Sequence, residues 1–456
     1  MSKKQSSFPG LLLIVVAPMC GVLIANPAQA ITTYYVATNG SDSNPGTENS
    51  PFATLSYAAT KAQAGDTVYV RGGTYSFANE QYIASIGTSS ALISYQSYPN
   101  EKAILDGSQM PANSNLVNVV GAYNVFKNFE LKNAKAVGLM SWGGKNIQFR
   151  NNVIHDSYKG AIFVGFSDMT TASNIIIDGN TAYSNCQVNS SRTTTGGWPF
   201  AVGSMKASKV TISNNRVYQN YGEGIDFVLT KGGRAAGNVI YDNYSVNLYL
   251  DNATNITVER NHIYTTNNTN FYRFNQPASG IQAANESYDL SNPLNNITIR
   301  NNIVRGGKTG FAYFSSYGKG GGLQNFVIAN NTFYKAMETM LYIEQDAGHS
   351  NTLIANNIFY QTGGVSMASV AASPALAFLN NNWYGGSAGA VAGSGDVNAD
   401  PLLVNPGTTV ASDYKQQAGS PVTNAGTVVT LVTTDYAGSI RPLAFNYDIG
   451  AYEFVP

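Results

Sequence analysis

The stretch NYGEGIDFV, residues 220–228, sets two carboxylates, Glu223 and Asp226, among small and apolar neighbours in a chain that is only 11% charged. Carboxylates are costly where water does not solvate them, so such a placement points to chemistry. Close carboxyl groups can exchange protons with a substrate or flank a glycosidic bond during hydrolysis. They can also hold Ca²⁺, a hard ion that favours oxygen ligands. The bland alternative is a salt bridge to Lys206, Lys231 or Arg234, contributing about 1 kcal/mol or less if exposed.

The elements that position these residues are repeats. IQFRNNVIHD, IIIDGNTAYSN, VTISNNRVYQN, RAAGNVIYDN, ITVERNHIY, ITIRNNIV, FVIANNTFY and TLIANNIFY share one pattern, with an asparagine at 152, 180, 215, 238, 261, 302, 331 and 357. The intervals 215–238 and 238–261 are both 23 residues, a period typical of stacked coils. Each unit alternates apolar and polar residues and then bends. It is too short to bury its own face, whereas stacked coils can. The recurring asparagines are expected to form an amide ladder. The tyrosines three places later (183, 218, 241, 264, 334 and 360) are expected to pack as a second stack.

The 23-residue period sets GIDFV (224–228) over NLYLD (247–251), with Ile225, Phe227, Leu248 and Leu250 facing the core. Two outward columns follow. The first is read as Ile162, Ala201, Asp226, Tyr249, Gln282, Ala312 and Tyr342; the second as Val164, Gly203, Val228, Asp251, Ala284, Phe314 and Glu344. Asp226 and Asp251 become diagonal neighbours with Cα atoms on the order of 8 Å apart. Counting forward aligns Lys206 with Lys231 and Thr254, so two lysines border the acids. Loops inserted in the long intervals 180–215 and 261–302 carry Trp198, Phe271, Tyr272 and Arg273. They are expected to wall a groove in which the aromatics stack on sugars and Arg273 pairs with a uronate.

Composition narrows the partners. Net charge is zero and no basic block invites nucleic acid or a membrane surface. Residues 1–30 read as a signal peptide: Lys3 and Lys4, an apolar stretch from Leu11 to Ile24, then Ala28-Gln29-Ala30. A secreted monomer is expected. Cys186 alone remains after the leader, so no internal disulfide can form. The three histidines share no rung, and Cys186 is expected to be a small buried residue.

The segment YYVATNGSDSNPGTENSPFATLSYAATKAQAGDTVYVRGGTY (34–75) and the ending RPLAFNYDIGAYEF (441–454) resemble those of secreted bacterial right-handed parallel β-helix proteins, including family-nine pectate lyases. The resemblance implies an all-β, single-domain solenoid over 31–456. Its N-terminal cap and first coils span 31–100, its C-terminal coil and cap 388–456, and FATLSYAATKA forms a capping helix with Thr54 as N-cap.

Three functions fit the residues. In a polysaccharide lyase acting by β-elimination, Glu223, Asp226 and Asp251 would hold Ca²⁺. Lys231, or Lys206, would be the base, with Tyr249, Lys206, Trp198, Arg273 and Gln282 binding a polysaccharide that contains uronate. In a glycoside hydrolase or transferase, the same three acids would supply a protonated and an ionised carboxyl. In a glycan-binding or surface protein they would do neither.

Overall fold

Each coil of the chain turns at a buried asparagine. The Nδ2 of Asn152 donates to Oδ1 of Asn180 at 3.0 Å, and the relay continues through Asn215, Asn238, Asn261, Asn302, Asn331 and Asn357 to Asn381 at 2.9–3.0 Å per step. The same oxygens accept backbone N–H groups; Asn215 N donates to Asn238 Oδ1 at 2.9 Å. An amide carries both donors and acceptors, so identical side chains satisfy one another along a stack.

The computed structural model describes residues 30–165, 172–289, 293–315 and 320–456; the leader expected over 1–30 lies, except for Ala30, outside them. Thr32–Pro456 forms one unit. Its described residues build three parallel sheets of 13, 11 and 12 strands, and the architecture is a right-handed β-helix. Among the described residues no helix is long and apolar enough to cross a membrane. Inward side chains pile up by type: Val202, Ile225, Leu248, Ile281, Phe311 and Leu341 form one fully buried column. At one end lies the expected helix, Leu55–Lys61, with the Thr54 side chain accepting from Tyr57 N at 3.1 Å.

The tyrosine stack is also present. His155, Tyr183, Tyr218, Tyr241 and Tyr264 lie face to face at 4.7–5.4 Å. Arg305 then takes the place between Tyr264 and Tyr334.

The register matches the expectation on the C-terminal side of the acids and departs from it on the N-terminal side. Asp226 pairs with Tyr249 and Val228 with Asp251, and Gln282, Ala312 and Tyr342 continue the first column. In the other direction that column runs through Gly203 and Phe163, not Ala201 and Ile162, and the second through Met205 and Gly165, not Gly203 and Val164. Lys206 consequently falls beside Leu229, whereas Lys231 pairs with Ser208 and Thr254. Lys206 and Leu229 both adopt left-handed backbone at this corner, with φ of 51° and 48°. The bend carries Lys231 around onto the 13-stranded sheet, away from the acids on the 11-stranded one.

Candidate functional site

The 11-stranded sheet bears a cleft of ≈530 Å³ whose floor comes from two adjacent strands, Glu223–Val228 and Val246–Asp251. Glu223, Asp226, Tyr249 and Asp251 all reach it, and Gln282 extends it by one coil. Inserted loops build the walls. One brings Trp198, half exposed at the mouth; another brings Arg273, whose guanidinium lies 4.8 Å from the Trp198 ring centre, and the exposed Phe274. A third supplies Glu286 and Tyr288. Gly203 keeps the floor low beside Asp226, because a Cβ there would come within 2.4 Å of the Asp226 carbonyl oxygen and 2.9 Å of the Phe200 ring.

The carboxyls are buried and crowd one another. Glu223 and Asp226 hydrogen-bond each other, which requires a proton between them. Burial, more than any neighbour, pushes Glu223 up to about 7. Asp226 is raised well above the ordinary carboxyl range, by burial first and then by the charges of Glu223 and Asp251. Asp251 is pushed up to about 8 by burial, while the Tyr288 hydroxyl, donating to its Oδ2, pulls the other way. Oδ1 of Asp226 and Oδ1 of Asp251 are buried without any hydrogen-bond partner. Tyr249 donates to Glu286 Oε1 at 2.7 Å. Both tyrosines stay protonated: burial and adjacent carboxylates raise Tyr249 and Tyr288 alike. Although the Tyr288 ring is 56% exposed, its hydroxyl end is turned inward onto Asp251.

Of the residues singled out in the sequence, Glu223, Asp226, Asp251, Tyr249, Gln282, Trp198 and Arg273 line this cleft. Lys206 and Lys231 do not, so neither lysine borders the acids as expected. Arg234 instead pairs with Glu259 on the 13-stranded sheet. Phe271 is buried and packs 5.1 Å from Tyr221, and Tyr272 bonds Asn267, so these two fold their loop down. Cys186 is fully buried, as expected of a small packing residue. The sequence reading assigned no role to Glu286, Tyr288, Phe274 or Lys308; the first two lie in NESYDLSNP, a loop whose length was its only signal.

Calcium does not fit these carboxyls as they stand. The ion needs six to eight oxygens converging on one point. Glu223 and Asp226 are instead turned to each other, Asp251 is engaged by Tyr288, and no three acidic, histidine or cysteine side chains among the described residues converge on a metal position.

Comparison with known proteins agrees with this architecture. Residues 34–247 match the family described as Pel9A-like, right handed beta helix region, and residues 183–320 match the right handed beta helix region. The chain is 24% identical to pectate lyase PEL9 of Emericella nidulans over 321 residues, covering 67% of this chain and 74% of that protein. It superposes on the crystal structure of pectate lyase Pel9A with a TM-score of 0.56 at 19% identity, covering 94% of this chain and 98% of the other. With XylC, solved in complex with xylose, the TM-score is 0.61 at 14% identity, covering 93% and 98%. At these identities the two structural likenesses show the fold.

Proposed function

For a right-handed β-helix chain that resembles family-nine pectate lyases, we propose a secreted carbohydrate-active enzyme that cleaves a polysaccharide lying across the cleft. One observation carries this reading. Glu223, Asp226 and Asp251 converge, buried and partly unpartnered, on the floor of an open cleft. Such an arrangement raises the folding free energy, so chemistry is the reason to keep it.

Hydrolysis is the reaction these groups serve best. Asp226, pressed by acids on either side, holds a proton and is placed to give it to the glycosidic oxygen as the bond breaks. Asp251 is the partner carboxyl. Burial keeps it protonated up to about 8; once it ionises, Tyr288 stabilises the anion through one oxygen and leaves Oδ1 to activate water or attack the anomeric carbon. Glu223 shares the Asp226 proton and sets when it is released. Tyr249 and Tyr288, held protonated, act as donors to sugar oxygens or to the acids and are poor bases.

A second reading, β-elimination from a uronate, is favoured by the Pel9A-like match and by Arg273 at the cleft wall, where a substrate carboxylate could pair with it. A polysaccharide panel separates the two. New reducing ends without ultraviolet absorbance from unsaturated uronates are expected, and they should be lost in Asp226→Asn and Asp251→Asn. Absorbing products would establish elimination. No cleavage of any member would leave glycan binding as the function.

A further inference from the structure

The cleft-bearing sheet is almost free of charge. Among the described residues, the only acidic or basic side chains on its 11 strands are Glu223, Asp226 and Asp251, all on two neighbouring strands. The three strands on their N-terminal side, Val137–Trp142, Gly160–Gly165 and Phe200–Met205, carry none. They present aromatic groups outward instead. Phe163 stands in the Asp226 column two coils away, and Trp142 in the Asp251 column four coils away. At ~4.8 Å per coil this is a path of roughly 19 Å leading into the acids.

The rings form a continuous series: Trp142 lies 5.9 Å from Phe163, and Phe163 lies 5.2 Å from Phe200. Of the three tryptophans, Trp383 is buried, whereas Trp142 is 39% and Trp198 is 54% exposed. Trp198 stands at the mouth of the cleft, and Trp142 lies on the same sheet, four coils from Asp251. Exposed tryptophan is uncommon and marks binding surfaces.

We infer that this face binds an uncharged glycan, with Trp142 and Phe163 packing against the C–H faces of sugar units beyond the point of cleavage. The inference rests on the reading of the acids as the cleaving groups. A polyuronate would bring a carboxylate with every unit, and the three strands of the path carry no cation of their own. At the cleft itself Lys308 is paired with Glu338 at 3.7 Å, which leaves Arg273, 4.8 Å from the Trp198 ring centre, as a cation on the wall. An uncharged chain needs no cation along the path and gains the aromatic contact.

Calorimetric titration of the full chain as the non-cleaving Asp226→Asn variant tests this. The ligands are hexasaccharides of xylose, glucose, galactose and mannose, and hexagalacturonate with and without Ca²⁺. One of the neutral hexamers is expected to bind, with affinity falling at least tenfold in the double variant carrying Trp142→Ala while the disaccharide of the same sugar is unaffected. Preferred binding of hexagalacturonate, no binding by any ligand, or an unchanged hexamer affinity without Trp142 would overturn the inference. Retained cleavage in Asp226→Asn, read separately from product release, would overturn the assignment of the acid while leaving the Trp142 result standing.

Discussion

Two polar stacks run along this β-helix, and the same winding makes both. At the corner, asparagines repeat over nine coils and each amide is satisfied by its neighbours. On the cleft sheet, acids occupy only two coils, push each other's protonation upward and leave oxygens unpartnered. The difference lies in the functional groups. An amide presents donor and acceptor together, so stacking it is self-complementary. A carboxylate only accepts, and a stack of carboxylates must take up protons, cations or substrate. The first stack can therefore run the length of the molecule as structure, whereas the second is confined to the place where reactivity is useful.

Exchanging the two chemistries should break the comparison in opposite directions. Asn238→Asp removes the Nδ2 bonds to Ile212 O and Asn261 Oδ1, both 2.9 Å, and buries a charge in their place. A loss of roughly 3–5 kcal/mol is expected in chemical denaturation at pH 7. The reverse exchange, Asp226→Asn, should lower the cleavage rate by roughly 10²–10⁴ while leaving the unfolding midpoint at pH 8 unchanged or higher. A destabilised Asp226→Asn with full activity would make the cleft acids structural, like the ladder.

The pH dependence sharpens the contrast. Carboxyls whose pKa is raised by folding keep protons that the unfolded chain has already released, so folding is favoured at lower pH. For Glu223 and Asp251 the window opens just above the ordinary carboxyl range and closes near 7 to 8. The melting temperature of the wild type should fall by a few degrees as pH rises from about 5 to about 8. In Asp226→Asn, which removes one of the crowded charges, the slope should be shallower. A melting temperature that rises through this range would contradict the crowded, protonated floor.

How much of this was legible in the sequence follows from the same contrast. The asparagine and tyrosine columns declared themselves because identical residues recur at each coil. Asp226 over Tyr249 and Val228 over Asp251 were legible because no insertion interrupts the 23 residues between them. Between the strands Phe200–Met205 and Glu223–Val228 the expected columns slipped by two residues, Ala201 standing for Gly203 and Gly203 for Met205, although the 23-residue period itself sets Gly203 beside Asp226. A two-residue slip preserves the alternation of inward and outward side chains, so hydrophobic pattern cannot detect it. One coil further the slip was of one residue, which set the core residue Ile162 where Phe163 stands. Glu286 and Tyr288 come from a loop with no repeat to register it against, so only coordinates could bring them to Asp251 and Tyr249.

The slip has a consequence for Lys231, and the smallest expected effect tests it. Placed beside the acids, Lys231 would be a base whose truncation abolishes turnover. On the 13-stranded sheet it is exposed, pairs through its backbone with Ser208 and Thr254, and lies around a corner from the cleft. Lys231→Ala should therefore behave as an ordinary surface substitution, within about 0.5 kcal/mol, or roughly twofold in rate. Steady-state assays on the substrate that the panel identifies would measure it. A hundredfold loss would mean that a lysine on one sheet acts on chemistry at another, which the bend at Leu229 prevents unless the substrate itself wraps that corner. Near-wild-type turnover would instead leave proton transfer to the carboxyls, the ionisable groups that the cleft sheet itself contributes.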